Sequence, residues 1–349
     1  MADVSRIQFD SEKQPHRIKN RTIMKTAVIY GIDGYRRNPL EGCVRDAQKM
    51  EKCLSHHFGG DPNFQCRLRH APNKDNATLS VSVLHQDLRW VFSNKPETLL
   101  LYFSGHGVND DLGTQLLFQD GSGYALRDLV ARANNALINR SVTREVIIIL
   151  DCCLAGDAGN QPVIQDKTAV LAEGLTLLAA SRADQPSQAT ENGSVFTNLL
   201  VEALGGGAAD LKGSVSLSAA YAYLERRLGA FDQRPVFKCN VSSFSELRRC
   251  EKPIAPERLR KLTDYFPDPK HFYPLEPSYE KDKKDAPPDK QECNEKHEAI
   301  FADLRKFASL ALLEPVDEEY MYWAAVHSTG CRLTSLGRHY WQLIKRNYI

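Results

Sequence analysis

Two hydrophobic periods alternate along the first 240 or so residues. Nearly continuous apolar runs read as strands: KTAVIYGID (25–33), FQCRLR (64–69), ETLLLYFSGHG (97–107), EVIIILDCC (145–153) and GLTLLAASR (174–182). Between them lie segments of helical spacing. EGCVRDAQKMEKCLSHHF (41–58) repeats Val44, Ala47, Met50 and Leu54, and NATLSVSVLHQDLRWVF (76–92) places Leu84, Leu88 and Val91 on one face. A third helix is expected over ALRDLVARANNAL, and two more around Val195–Leu204 and Ser218–Leu228. TQLLFQD reads as a hairpin arm, and RPVFKCN as the last strand. Alternation of this kind predicts an α/β unit with a mostly parallel six-stranded sheet and helices on both faces. Such sheets carry their sites at the carboxyl ends of the strands.

The pattern breaks after residue 250. Eight of the 17 prolines fall in 251–291, and the stretch ends in YEKDKKDAPPDKQE, so it reads as a Pro-rich linker or draped segment. From about Cys293 two amphipathic helices, HEAIFADLRKFASLALL and LTSLGRHYWQLIKR, predict a second unit. The expected organisation is an N-terminal extension (1–24), a main domain (25–250), the linker (251–291) and a small domain (292–349).

Bulk charge narrows the class. Forty-five basic against 44 acidic residues leave +1, which implies no strong field for nucleic acid or membrane. The polar start MADVSRIQFDSEKQPHR lacks an apolar signal core. Nine cysteines with no CxxC pair are expected to be reduced thiols, and a cytoplasmic location is the expectation.

Two strand ends carry the chemistry. LYFSGHG puts His106 between two glycines, and LDCCLAG puts Cys152 and Cys153 at the tip of the most hydrophobic strand, with Cys153 standing 47 residues after His106. A nucleophilic thiol needs a base nearby and donors for the oxyanion that develops on the attacked carbonyl. A buried cysteine at a strand end is ordinarily a small hydrophobe, which is the reading for Cys152. A phosphatase loop would need an arginine six residues after the cysteine, where Gly159 stands. A zinc site built from Cys152, Cys153 and His106 would lack ligands.

These motifs resemble the caspase-like cysteine peptidases, nearer the metacaspase branch. YFSGHG and LDCCLAG match the histidine and cysteine motifs, and LEGCVRDAQKM matches the pattern that follows the first strand. LLAASRADQPSQ, SVFTNLLVEAL and RPVF fall in the family's order, and the match covers about Lys25 to Asn240. The resemblance implies Cys153 as nucleophile, His106 as base or proton shuttle, and an oxyanion hole from the amides of Gly107 and Cys153. It implies substrate contacts from Asp46, Asp151 and Ser181, and two carboxylates beside the nucleophile would favour Arg, then Lys, at the cleaved bond. Arg45 stands where the family has asparagine, and Leu154-Ala155 where it commonly has His-Ser. No metal site is expected: the family's calcium-binding aspartates have no match, since Asp110, Asp111, Asp120 and Asp157 are scattered. His56 and His57 read as dipole partners at a helix C-terminus.

CRLTSLGRHYWQLIKRNYI resembles the wing and last helix of a winged-helix domain, with Thr334 as N-cap. From Gln291 onward seven basic residues face eight acidic ones, so an interaction or sensing module is expected over a DNA reader. Peptidases fused to such a unit are usually latent, which suggests a bacterial defence or programmed-death effector. Its trigger would be an upstream sensor protein or a nucleotide second messenger, with no other cofactor. The loop 157–168 stands where the family is often cut on activation, and its one basic residue is Lys167. The other open reading is a catalytically idle caspase-fold scaffold or ligand sensor that works through the C-terminal unit.

Overall fold

The computed structural model describes residues 25–75, 78–110, 113–139, 142–152, 171–180, 193–228, 235–282, 284–287 and 294–349. They form two compact units. One holds the described residues up to Ala208 with Val215–Cys250, and the other holds Ala209–Ser214 with Glu251–Ile349.

In the first unit the chain runs β1 (Lys25–Ile32), α1 (Cys43–Ser55), β2 (Phe64–Ala71), α2 (Val81–Asn94) and β3 (Thr98–Gly105). Next come β4 (Gly107–Asp110), β5 (Gly113–Leu117), β6 (Gly123–Ala125), α3 (Leu126–Ile138) and β7 (Glu145–Cys152). It continues through β8 (Leu175–Ala179), α4 (Val195–Glu202), β9 (Ser214–Ser216), α5 (Leu217–Arg227), β10 (Val236–Asn240) and β11 (Glu246–Arg249). The main sheet has the order β10-β8-β7-β3-β1-β2. All its pairings are parallel except that of β10 with β8. Every residue of β3 and β7 is buried, which explains why their sequences are apolar runs and not alternations. TQLLFQD supplies the central strand, β5, of a small antiparallel sheet in the order β4-β5-β6.

One polar cluster ties the β2 edge to α2. Asp87 is fully buried and accepts from Arg67 (2.9 Å), Arg69 (2.9 and 2.7 Å) and the Tyr30 hydroxyl (2.7 Å). Arg67 also stacks on Trp90, 3.5 Å from the ring centre. His57 departs from the reading as a dipole partner. It is buried, and its Nδ1 accepts the Arg249 amide at 2.9 Å, while burial and the Arg249 charge hold its pKa below the ordinary imidazole value. A cationic ring would have no proton acceptor there, so packing has overridden the helix-end pattern.

The second unit contains α6 (Pro256–Arg260), α7 (Leu262–Tyr265), β12 (Phe272–Pro274), α8 (Glu295–Ser309), β13 (Leu313–Val316), α9 (Met321–Val326), β14 (Gly330–Leu333) and α10 (Ser335–Lys345). Its sheet runs β12-β14-β13. The main part of the unit starts at Glu251, not at 292, because the proline-rich stretch supplies part of its core. Leu259, Leu262, Phe266 and Leu275 pack with Phe301, Leu304 and Phe307, and Asp303 draws in Arg258, Lys261 and Tyr265. Thr334 caps α10, its hydroxyl accepting from the Gly337 amide at 3.0 Å.

Burial alone would raise the pKa of the Asp87 carboxyl, but the hydrogen bonds from Arg69, Tyr30 and Arg67 outweigh it and hold the pKa below the usual range. Its stabilisation is therefore complete above the unfolded carboxyl pKa of ~3.9 and disappears as pH falls through the lower folded value. Asp87→Ala should cost about 2–3 kcal/mol, less than a fully buried pair because both guanidiniums are partly exposed. Asp87→Asn should flatten the acid limb of the stability curve, and urea melts across the acidic range measure both effects.

Candidate active site

Strand order reverses between β1 and β3, so the crevice at their carboxyl ends is the position this topology favours for a site. Asp33, the first residue past β1, organises it. Its carboxylate accepts from the amides of Cys43 (2.8 Å) and Val44 (3.3 Å), capping α1 from outside the helix. Its carbonyl accepts from Tyr35 and Leu40, both at 2.9 Å, and closes the loop between them.

That loop holds His106. The Nε2 of His106 lies 2.6 Å from the carbonyl oxygen of Asn38, an acceptor only, so Nε2 carries the proton and donates. In the neutral form of the ring Nδ1 is then the acceptor nitrogen. Asn38 reaches this position in the left-handed region, with φ 52°. The Tyr35 ring lies against the imidazole, with centroids 4.5 Å apart. Its hydroxyl accepts the His106 amide (3.0 Å) and donates to the Leu117 carbonyl (2.9 Å). Gly105 is required by the same contact, since a Cβ there would stand 2.5 Å from the Tyr35 hydroxyl. Gly107, the expected oxyanion donor, begins β4 directly after His106.

Across the crevice the structure brings Asp46 and Asp151 into one acidic cluster. Both are 1% exposed. Asp46 accepts the Ser194 amide at 3.2 and 3.0 Å, and Asp151 accepts from the Thr197 hydroxyl at 2.7 Å, which also bonds the Tyr102 hydroxyl at 2.6 Å. Gly193 permits the approach, because a Cβ there would lie 2.0 Å from Asp46 Oδ1 and its φ is 88°. Ser104 pairs in register with Asp151, and its hydroxyl is buried with no partner at hydrogen-bond geometry among the described residues. Cys43 is half-buried beside them. Burial raises the pKa of its thiol, and the charges of Asp33, Asp151 and Asp46 raise it further. Arg45 is exposed on α1, outside this cluster. Sequence reading missed Tyr35, Asn38, Cys43 and Ser104. Cys43 and Ser104 lie inside the quoted motifs, whereas nothing in the pattern around Tyr35 or Asn38 singles them out.

The seven described cysteines are free thiols. Burial pushes Cys53 up to about 11 and Cys66 and Cys331 up to about 12, so none of these three is poised to attack. Cys152 is fully buried in the core with Leu150 and Ile148, as expected of an inert neighbour. Cys153, Ser181 and the loop 157–168 lie outside the described residues. Among the described residues no group of three or more His, Cys, Asp or Glu could hold a metal, and no helix is long and apolar enough to cross a membrane.

Comparison with known proteins decides the family. A model of the caspase domain matches residues 24–244, more than half of the chain. The chain belongs to the caspase family. Its six-stranded mixed sheet with flanking helices is the caspase-like fold. Among solved structures, caspase-1 from Spodoptera frugiperda aligns at 12% identity over 70% of this chain and 100% of its own, with a TM-score of 0.48. The structure of pro-sf-caspase-1 gives 13%, 72%, 99% and 0.43 for the same quantities. A protein from Geobacter sulfurreducens gives 16%, 65%, 100% and 0.47. No curated protein sequence matches the chain.

The cap assigned to Asp33 has a measurable cost. Asp33→Ala should lower stability by about 1–2 kcal/mol, while Asp33→Asn, which keeps one acceptor oxygen for the shorter Cys43 contact and loses the longer one to Val44, should cost less, about 0.5–1 kcal/mol. Chemical denaturation of the two variants side by side checks this; equal costs would mean that charge matters and the cap does not.

Proposed function

We propose that this caspase-family chain is a cysteine endopeptidase that uses a Cys153–His106 dyad and cleaves after Arg or Lys. The observation that carries the reading is His106, set at the end of β3 with Nε2 committed to Asn38 and Nδ1 left to take a proton. The last register pair of β3 and β7 is Gly105 with Cys152, and the residues that follow in the two sequences are His106 and Cys153. In the proposed step Nδ1 takes the thiol proton, the thiolate attacks the scissile carbonyl, and the amides of Gly107 and Cys153 receive the oxyanion. Collapse of that adduct expels the amine, which leaves with the proton from His106, and water then hydrolyses the thioester.

The preference for basic residues rests on the acidic crevice. Asp33, Asp46 and Asp151 act together on the Cys43 thiol, so the field there is negative and suits a guanidinium or ammonium. Latency, release by an upstream sensor protein or a nucleotide second messenger, and a role in bacterial defence or programmed death belong to this proposal. They rest on the family resemblance and on the fused C-terminal unit, for which an interaction or sensing role, on a winged-helix-like design, is likewise proposed.

Fluorogenic peptides ending in Arg, Lys, Asp or Leu test the reading, with Cys153→Ala as control. Release after Arg that vanishes in Cys153→Ala is the expected outcome. Release only after Asp or Leu would keep the peptidase and remove the acidic pocket. Covalent labelling of Cys153 by a thiol-reactive probe, dependent on His106, distinguishes a latent enzyme from an idle scaffold when no peptide is cut. Asp46→Asn should lower kcat/KM for Arg peptides by roughly tenfold to a hundredfold, the value of one charge-assisted hydrogen bond.

A further inference from the structure

Tyr35 belongs to none of the matching motifs, yet it touches the proposed base from two directions. Its hydroxyl accepts the His106 backbone amide at 3.0 Å and donates to the Leu117 carbonyl at 2.9 Å, so it links the end of β3 to β5. Its ring lies against the imidazole, 4.5 Å between centroids and tilted by 54°. The side chain cannot move aside easily. It is 4% exposed, its backbone amide is tied to the Asp33 carbonyl, and Gly105 has left room for the hydroxyl that no other residue type would leave. The ring is therefore a fixed wall, and a fixed wall limits rotation of the imidazole about its side-chain torsions.

We propose that Tyr35 is the positioning residue of His106: it fixes the backbone through its hydroxyl and the ring through its face, so that Nε2 stays on the Asn38 carbonyl and Nδ1 is left as the acceptor. The role in catalysis rests on the Cys153–His106 reading, whereas the positioning itself does not. Without the ring the imidazole is free to turn away from Asn38 and the preference for the Nε2-protonated tautomer weakens. Without the hydroxyl the His106 amide and the Leu117 carbonyl are left seeking partners in a half-buried site.

Nitrogen-15 NMR of protein labelled in its histidine rings, at mildly alkaline pH where imidazole is neutral, reads the tautomer directly. The His106 signals are assigned by their loss in His106→Gln. Wild type should show the Nε2-protonated form, and Tyr35→Leu should show a mixture of tautomers. Tyr35→Phe keeps the ring and so the tautomer, but the His106 amide should exchange with solvent about tenfold faster for the lost hydrogen bond. This variant carries the test if Tyr35→Leu does not fold. Val91→Ala, which thins the same core cluster from α2, controls for lost packing and should change neither signal. Alkylation of Cys153 by iodoacetamide should slow by up to about a hundredfold in Tyr35→Leu, the penalty of a misplaced base.

A wild-type tautomer in Tyr35→Leu, unchanged exchange in Tyr35→Phe, or equal losses in Val91→Ala would each overturn the proposal. If the tautomer depends on Tyr35 while Cys153 in wild type reacts no faster than a free thiol, the positioning stands and the peptidase reading falls.

Discussion

The site depends on one aspartate at the end of one strand. Asp33 accepts four backbone amides, two with its carboxylate and two with its carbonyl, and its own amide donates to Ala71 on β2 at 3.0 Å. The carboxylate fixes the start of α1 and with it Asp46, one turn in. The carbonyl fixes the loop that carries Tyr35 and Asn38, and with it the ring of His106. A strand end in an open parallel sheet leaves its last amides and carbonyls without ladder partners. Here one residue meets that need for three segments at once, so the two sides of the crevice are set by a common hinge point and not by separate loops.

The acidic side is built with equal economy, and this complicates its chemistry. Asp46 and Asp151 both reach the first turn of α4, one through the Ser194 amide and the other through the Thr197 hydroxyl. Their carboxylates therefore hold a helix in place as well as creating the negative field of the crevice. These two donors are neutral: a backbone amide and a hydroxyl orient a carboxylate without themselves bringing a positive charge to it. Substitution by asparagine, which retains an acceptor, is consequently a cleaner probe of the charge than substitution by alanine.

What was legible in the sequence follows from how each feature is encoded. The sheet strands and the flanking helices announce themselves because burial on both faces of β3 and β7 demands unbroken apolar runs, and α1 and α2 show a helical stripe. His106 and Asp151 are legible because they sit inside short motifs at strand ends, and Asp46 because it sits in the short motif that opens α1. Tyr35 and Asn38 are not, since a loop residue that acts through its hydroxyl or its backbone carbonyl leaves no period to read. The proline-rich segment misled for a related reason. Composition registered its eight prolines, whereas its folding depends on a few spaced apolar residues, Leu259, Leu262, Phe266 and Leu275, and on two cations that converge on Asp303. His57 misled because a helix-end position says nothing of what packs over it, and the backbone of β11 does.

The base of the proposed dyad is thus held by interactions that need no substrate. The tautomer is chosen by a backbone carbonyl, the ring by an aromatic wall, and the backbone by a phenol, all within the first unit. Such prior placement reduces the reorganisation left for the reaction itself, which is the main way a fixed polar environment lowers a barrier. It also locates where control can act. A site whose histidine is already in place cannot be switched effectively by moving that histidine, because several hydrogen bonds would have to break together. In the proposed peptidase, access to the acidic crevice is the more economical point of control, because Asp46 and Asp151 hold the first turn of α4 there and a shift of that turn would change the pocket without dismantling the base.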